Sequence, residues 1–331
     1  MRKDFEAVRK IISEYNNFII TTHLTPDGDA IGSQLSLGDY LKQKGKTVNL
    51  INYSPTPYFL EFLDTNKEIK FYRDDIEKYK EIIKRADVIF IVDTNEYSRT
   101  KSMEPVLRSS KALKVCIDHH LDLDVKQFDA VISNIKYPAT SQILYEFFCD
   151  DSPDYINEFI AINLYTGIMS DTGNFRFPRT DVNSFVISAD LVRRGANPVK
   201  IFDEVYNNVP KEKIVLLGRF IKSLTFYYND KLVIGTVKLK DFEELNLNEQ
   251  DVEGFSSFIM GMRTIVAGVV LVELKNSIKV SFRSKGNLNV NEIAKIFGGG
   301  GHKNASGTSI KDKTFDTLKE EIISVFKNYL K

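Results

Sequence analysis

The chain has 331 residues, 43% hydrophobic and 27% charged, the make-up of a globular protein with a sizeable core, which excludes disorder, collagen and coiled coil. A single core usually stops growing below this length, so two domains are expected. Lys plus Arg, 45, balances Asp plus Glu, 45, so no global positive excess exists to hold a long polyanion, and a nucleic-acid ligand is expected to be short or held locally. The longest apolar run, Ile265 to Val272, is far shorter than the roughly 18 residues of a membrane span, and the N-terminus reads as amphipathic, not secretory. Cys116 and Cys149 are too few for a disulfide framework, which points to a reducing cytoplasm.

Phe5, Val8, Ile12 and Tyr15 recur at helical spacing, and Phe18-Ile19-Ile20 follows as a short buried strand. The alternation continues with a helix around Ile31, Leu35 and Leu41, a strand at 47–51, and apolar runs at 88–92 and 113–117. Short β-branched runs separated by helical stretches predict an α/β domain with an open, mainly parallel sheet flanked by helices. Helices are expected at 141–148, at 155–168, and from Asp181 to a stop at Gly195.

Beyond Gly195 the stretch 197–220 keeps helical periodicity without strand runs and reads as a connector. Hairpins then follow, 223–228 with 231–238 around Asn229-Asp230, and 264–274 with 278–283 around Lys275-Asn276-Ser277. Helices at 290–297 and 315–329 complete a smaller C-terminal α+β domain with a mixed sheet. The expected division is 1–194, a helical connector at 195–220, and 221–331.

The chemistry gathers at the carboxyl ends of the expected strands. The first ends in Thr21-Thr22-His23-Leu24-Thr25-Pro26-Asp27-Gly28-Asp29, the run 88–92 in Asp93, and the run 113–117 in Asp118-His119-His120. Ligands of open parallel sheets bind outside those ends, so the three groups should meet in one crevice. Singly, such an Asp is usually a helix cap and a lone His a hydrogen-bonded structural residue. Together, converging carboxylates repel one another and resist desolvation unless cations neutralise them. Carboxylate mixed with imidazole suits a first-row ion such as Mn²⁺ better than Mg²⁺, and the ligands exceed what one ion needs. Asp171, in Ser170-Asp171-Thr172-Gly173-Asn174-Phe175-Arg176, is a further acidic candidate.

These residues resemble a known superfamily. His23-x-x-x-Asp27-Gly28-Asp29-Ala30-x-Gly32-Ser33, Val92-Asp93-Thr94, Asp118-His119-His120 and Ser170-Asp171-Thr172-Gly173 are similar to the four ordered motifs of the DHH phosphoesterases. Phe282-Arg283-Ser284 and Gly298-Gly299-Gly300-Gly301-His302-Lys303-Asn304-Ala305-Ser306-Gly307 resemble the signature of the DHH-associated C-terminal domain. Ser306 stands where that family often has Ala, and the stretch 121–134 is unusually acidic.

The resemblance implies a catalytic set of His23, Asp27, Asp29, Asp93, Asp118, His119, His120 and Asp171. One divalent ion would be held by His23, Asp27 and Asp93, and a second by Asp29, Asp93, His119 and Asp171. His120 would contact phosphate, and Asp118 would orient a histidine. Two ions, Mn²⁺ or else Mg²⁺, would activate water for displacement at phosphorus. Further substrate contacts are expected from Arg99, Arg176, Arg283, Ser284, Gly299, Gly300, Gly301 and His302. The glycine run has its own physical logic, because backbone N–H groups unobstructed by Cβ beside His302 and Lys303 make an anion cradle. From Arg263 to Lys303 seven Lys/Arg face two acids, a local excess suited to a phosphorylated ligand.

With no added nucleic-acid-binding or membrane domain in the sequence, the stand-alone form resembles the nanoRNase/pAp phosphatase group. That implies cleavage of short oligoribonucleotides and removal of the 3′-phosphate of 3′-phosphoadenosine 5′-phosphate (pAp), in a cleft between the domains. The alternatives are a phosphodiesterase for pApA or cyclic di-AMP and a nucleotide-binding regulator without chemistry. Long nucleic acid and membrane are not expected as partners, and a homodimer is left open.

Overall fold

A computed structural model describes residues 1–330 and divides the chain into two units, Met1–Asn208 and Val209–Lys331. The division falls inside the helical stretch expected as a connector. The first unit contains α1 (Arg2–Glu14), β1 (Asn17–Thr21), α2 (Gly28–Gln43), β2 (Thr47–Asn52), β3 (Ile69–Phe71), α3 (Ile76–Lys84), β4 (Val88–Val92), α4 (Glu104–Ser109), β5 (Leu113–Asp118), β6 (Ala130–Ser133), α5 (Thr140–Asp151), α6 (Glu158–Asp171), α7 (Val182–Arg193) and α8 (Pro198–Tyr206). No helix of the described residues is long and apolar enough to cross a membrane.

All six strands pair in parallel in the order β3-β2-β1-β4-β5-β6. Because side chains alternate along a strand, Phe18, Ile20, Phe90 and Val92 face one core with α1, α2, α5 and α6, while Ile19, Ile89 and Ile91 face another with α3 and α4. That double coverage is why β4 is apolar throughout and wholly buried. The chain runs outward from β1 through β2 and β3, then returns to lay β4 on the other side of β1. The gap between the ends of β1 and β4 is therefore the topological switch point, where such sheets bind ligands.

Helices α2 and α6 cross where no side chain separates them. A Cβ on Gly32 would lie 2.3 Å from the Asn163 carbonyl oxygen, and one on Gly167 would lie 2.0 Å from Ser141 Oγ and 2.8 Å from Asp29 Oδ1. Helix α7 starts on an Asp181 capping box, and the chain leaves its end through Gly195 at φ 114°.

The second unit contains α9 (Lys211–Lys222), β7 (Thr225–Tyr227), β8 (Leu232–Val237), α10 (Leu239–Leu245), α11 (Phe255–Met260), β9 (Ala267–Leu274), β10 (Ser277–Ser284), α12 (Val290–Ile296), β11 (Gly300–His302), β12 (Ala305–Ile310) and α13 (Phe315–Phe326). Its mixed sheet has the order β11-β12-β10-β9-β8-β7, with both expected hairpins antiparallel and joined by a parallel β8–β9 pair. Val269 and Leu271 face a core with α12 and α13, and Val270 and Val272 face one with α9 to α11.

Candidate active site

His23 follows β1, Asp93 follows β4 and Asp118 ends β5, so three strand ends at and beside the switch point supply one crevice of the first unit. Asp27 caps α2, its Oδ1 accepting the amides of Asp29 and Ala30 at 3.1 Å each, while Oδ2 lies 4.0 Å from His23 Nε2. The cap and the ligand position thus use different oxygens of one carboxylate. The backbone turns at Asp93 through the left-handed region (φ 57°), which Asp tolerates better than most residues. Its Oδ2 lies 3.4 Å from His23 Nε2 and its Oδ1 lies 3.5 Å from His119 Nε2, so Asp93 stands between the two imidazoles.

His119 Nε2 also lies 3.2 Å from Asp171 Oδ2, at the end of α6, and 4.0 Å from Asp29 Oδ2. The structure therefore gathers His23, Asp27 and Asp93 into one group and Asp29, His119 and Asp171 into another, each with its candidate ligand atoms within 4.8 Å of one another. His120 joins Asp93 and His119 in a third such group.

The tautomers test whether these groups suit a metal. His23 Nδ1 lies 2.8 Å from the Leu24 carbonyl oxygen and His119 Nδ1 lies 3.2 Å from that of Tyr137. A carbonyl only accepts, so Nδ1 carries the proton in both rings and each neutral ring turns a lone pair on Nε2 toward carboxylate oxygens. Acceptor facing acceptor is repulsive unless a cation lies between. His119 Nε2, moreover, is buried without a hydrogen-bond partner. The donor set fits a divalent ion.

The protonation equilibria express the same imbalance. Burial opposes charging His119, but the Asp171 and Asp93 carboxylates outweigh it and push its pKa up to about 11; Asp93 likewise raises that of His23 against burial. Desolvation first, then the Asp171 and Asp93 charges, pushes Asp27 up to about 6, and burial with the Asp93 charge lifts Asp29 well above the usual carboxylate range. Asp93 is buried, yet the two imidazoles hold its pKa low. A ligating imidazole is neutral, so a divalent ion would displace these protons.

Several supporting residues escape a reading of motifs. Asp29 Oδ2 accepts the Thr140 amide at 2.6 Å and Oδ1 the Ser141 amide at 2.8 Å, so this carboxylate caps α5, whose own N-cap residue Ala139 makes no side-chain cap. Thr140 Oγ1 donates to Asp93 Oδ1 at 3.0 Å. Asn95 Nδ2 donates to Asp118 Oδ2 at 3.0 Å, and Asp118 Oδ1 lies 2.7 Å from His120 Nδ1. The only local signal was a Thr-Ser pair opening a helix.

The expected substrate contacts fall in both units. Arg99 is half-buried on the His23 side, its carbonyl accepting the Leu24 amide at 2.7 Å. Arg176 is exposed, with Nε on the Gly173 carbonyl at 2.8 Å. In the second unit Arg283 is half-buried, and its side chain donates to the Phe282 carbonyl at 3.2 Å; burial lowers its pKa. The Ser284 hydroxyl proton is committed to the Leu288 carbonyl at 2.6 Å, so this hydroxyl organises a turn and has no proton left for an anion. Gly300, Gly301 and His302 form the exposed edge strand β11. Gly299 permits close backbone approach, because a Cβ there would lie 2.2 Å from the Gly307 carbonyl oxygen.

Comparison with known proteins adds independent findings. The model of the DHH family, N-terminal domain, matches residues 17–168, and that of the DHHA1 domain matches residues 229–331. The bifunctional oligoribonuclease and PAP phosphatase NrnA of Thermus thermophilus is 29% identical over 94% of this chain and 89% of its own length. The protein of the same name from Bacillus subtilis is 27% identical over 91% of each. An exopolyphosphatase-related protein from Bacteroides fragilis, known as a crystal structure, superposes with a TM-score of 0.93 at 28% identity, covering 100% of this chain and 98% of that one.

Proposed function

Because the chain belongs to the DHH family and carries both its N-terminal and its DHHA1 domain, we propose that it is a metal-dependent phosphoesterase that hydrolyses short oligoribonucleotides to mononucleotides and pAp to AMP. The observation that carries this reading is the pair of imidazole lone pairs, on His23 and His119, aimed at the carboxylates of Asp27, Asp29, Asp93 and Asp171. The NrnA relatives support the substrate class, and the two free cysteines suit a reducing cytoplasm.

In this reading one ion is held by His23, Asp27 and Asp93 and a second by Asp29, Asp93, His119 and Asp171. Divalent ions there, Mn²⁺ ahead of Mg²⁺, would supply the positive charge and the acidified water that hydrolysis at phosphorus requires. The chain's own groups orient the reactants. His120, with Nδ1 donating to Asp118, would in its imidazolium form donate Nε2–H to a phosphate oxygen, and Arg99 and Arg176 add cationic donors on the first unit. Arg283, His302 and the glycine run at 299–301 are the phosphate-binding groups of the second unit. A complete set of ligands speaks against a regulator without chemistry.

The test is an incubation with Mn²⁺ and a panel of pAp, pApA, cyclic di-AMP, a five-nucleotide RNA and a 24-nucleotide RNA, with and without excess chelator. Chelator-sensitive turnover of pAp and the short RNAs is expected. Cleavage confined to cyclic di-AMP would move the reading to a cyclic-dinucleotide phosphodiesterase, and chelator-resistant turnover would overturn the metal dependence.

A further inference from the structure

Immediately after Asp171 the chain builds an exposed aromatic surface. The Thr172 carbonyl accepts the amides of both Arg176 and Phe177 at 2.9 Å, folding this segment back onto the end of α6. Gly173, Asn174 and Phe175 take three successive left-handed conformations, with φ of 55°, 57° and 62°. For Asn174 and Phe175 this is uncommon, and the strain has a visible product. The turn sets the tip of the Phe177 ring against Gly173, where a Cβ would lie 2.4 Å from Cε1 and Cζ, yet leaves the ring 52% exposed. Phe185, 56% exposed, stacks on Phe175 with centroids 5.2 Å apart.

Leaving such rings half in water forgoes part of their hydrophobic burial, so a ligand that covers them recovers that free energy. The charge beside them identifies its class. Arg176 precedes Phe177 and Arg179 follows it by two residues, both exposed, and neither is ion-paired among the described residues. An exposed ring flanked in sequence by two arginines without ion pairs, on the turn that follows a candidate metal ligand, matches a nucleotide: π-face for the ring, phosphates for the arginines.

We propose that Phe177 is a nucleobase-stacking platform, receiving a base of the substrate whose phosphoester lies at the Asp171 centre. The proposal rests on the phosphoesterase reading and deepens it. Stacking tolerates any base, so this subsite would confer a preference for nucleotides over other phosphoesters without selecting sequence.

The chain contains no tryptophan, so Phe177→Trp places a single indole at the platform, whose emission can be excited apart from that of the 15 tyrosines. Titrating this variant, loaded with Mn²⁺, with a hydrolysis-resistant phosphorothioate dinucleotide of adenosine should quench its emission, whereas the abasic analogue should not. In kinetics, Phe177→Leu keeps an apolar group over Gly173 but removes the π-face. It should shrink the KM advantage of pApA over its abasic analogue about tenfold, and Phe177→Tyr should restore it. An unchanged ratio in Phe177→Leu, or emission that responds to protein concentration and not to the dinucleotide, would overturn the proposal; the latter would mark the surface as a contact between copies of the chain. If the wild type hydrolyses no phosphoester at all, the function reading fails, while the fluorescence titration still decides on stacking.

Discussion

Asp118 Oδ1 lies 2.7 Å from His120 Nδ1, and the other oxygen of the same carboxylate accepts the His120 amide at 3.0 Å, so one side chain holds both the ring and the backbone of its neighbour. Anchoring Nδ1 leaves Nε2 as the atom free to meet substrate. Asp118→Asn should lower kcat by about 10–100-fold with little loss of bound metal, since it disturbs the orientation of His120 and neither of the two proposed ligand sets, His23, Asp27 and Asp93 or Asp29, Asp93, His119 and Asp171. Turnover assays and metal analysis of the same preparation check this; equal loss of metal would make Asp118 a ligand.

Asp93 lies within 3.5 Å of both imidazole Nε2 atoms. Asp93→Ala should therefore cost more than the about 10–100-fold expected of an outlying partner and should reduce metal content at both groups. Wild-type activity lost in chelator should return better with Mn²⁺ than with Mg²⁺. Near-normal turnover of the variant would remove Asp93 from the bridging position proposed for it.

Two glycines separate stability from chemistry. Gly32→Ala drives a methyl group into the Asn163 backbone and should destabilise by roughly 1–3 kcal/mol through overpacking, read as a lower Tm. Gly167→Ala meets the side chains of Ser141 and Asp29, which can shift, so its main effect should be lost metal content. Variants indistinguishable in Tm and in metal content would contradict the close crossing of α2 and α6.

The pKa shifts set the sign of a pH dependence. His119 is raised from 6.5 to about 11, so its protonation stabilises the metal-stripped fold fully below pH 6.5 and progressively less up to pH 11. Asp27, raised from 3.8 to about 6, adds stability that fades between those values, whereas the depressed Asp93 contributes stability above pH 3.8 that is lost as pH falls below it. Metal binding needs the deprotonated ligands, so its stabilisation should grow as pH rises. Melting with and without Mn²⁺ from pH 5.5 to 9 should show the gap widening; a constant or shrinking gap would contradict coupling between proton and metal.

Binding should engage few phosphates, because the chain is neutral overall and its basic excess is local. Two- to five-nucleotide RNAs should be cleaved at least about tenfold faster than a 24-nucleotide RNA, with a shallow salt dependence. Arg283→Ala should raise KM for short RNAs about tenfold without changing metal content. Equally fast digestion of the long RNA would point to a general exonuclease.

The parts of the molecule legible in its sequence are those written in local periodicity. Phe5, Val8 and Ile12 announced α1, the run 88–92 announced a doubly covered strand, and Asn229-Asp230 announced a hairpin whose turn has φ of 53° and 60° at those residues. Edge strands β3 and β6 left no such mark, being three and four residues long and only partly buried. The hairpins of the second unit were readable, but the parallel β8–β9 pair that joins them was not, since strand order is decided by tertiary packing. In the site, spacing brought forward the residues in motifs. Capping of α5 by Asp29 across more than a hundred residues has no local signature.

Strand order also dictates a sequence of events during synthesis. The chain emerges with His23, Asp27 and Asp29 first, but β4 must dock on β1 past the intervening β2 and β3, and Asp171 arrives only when α6 seats against α2. A fragment ending before α6 carries His23, Asp27 and Asp93 but lacks Asp171, so only the group of Asp29, His119 and Asp171 is left incomplete. The group of Asp29, His119 and Asp171 is thus completed only by long-range contacts, and an ion held there would join the fold after those contacts close.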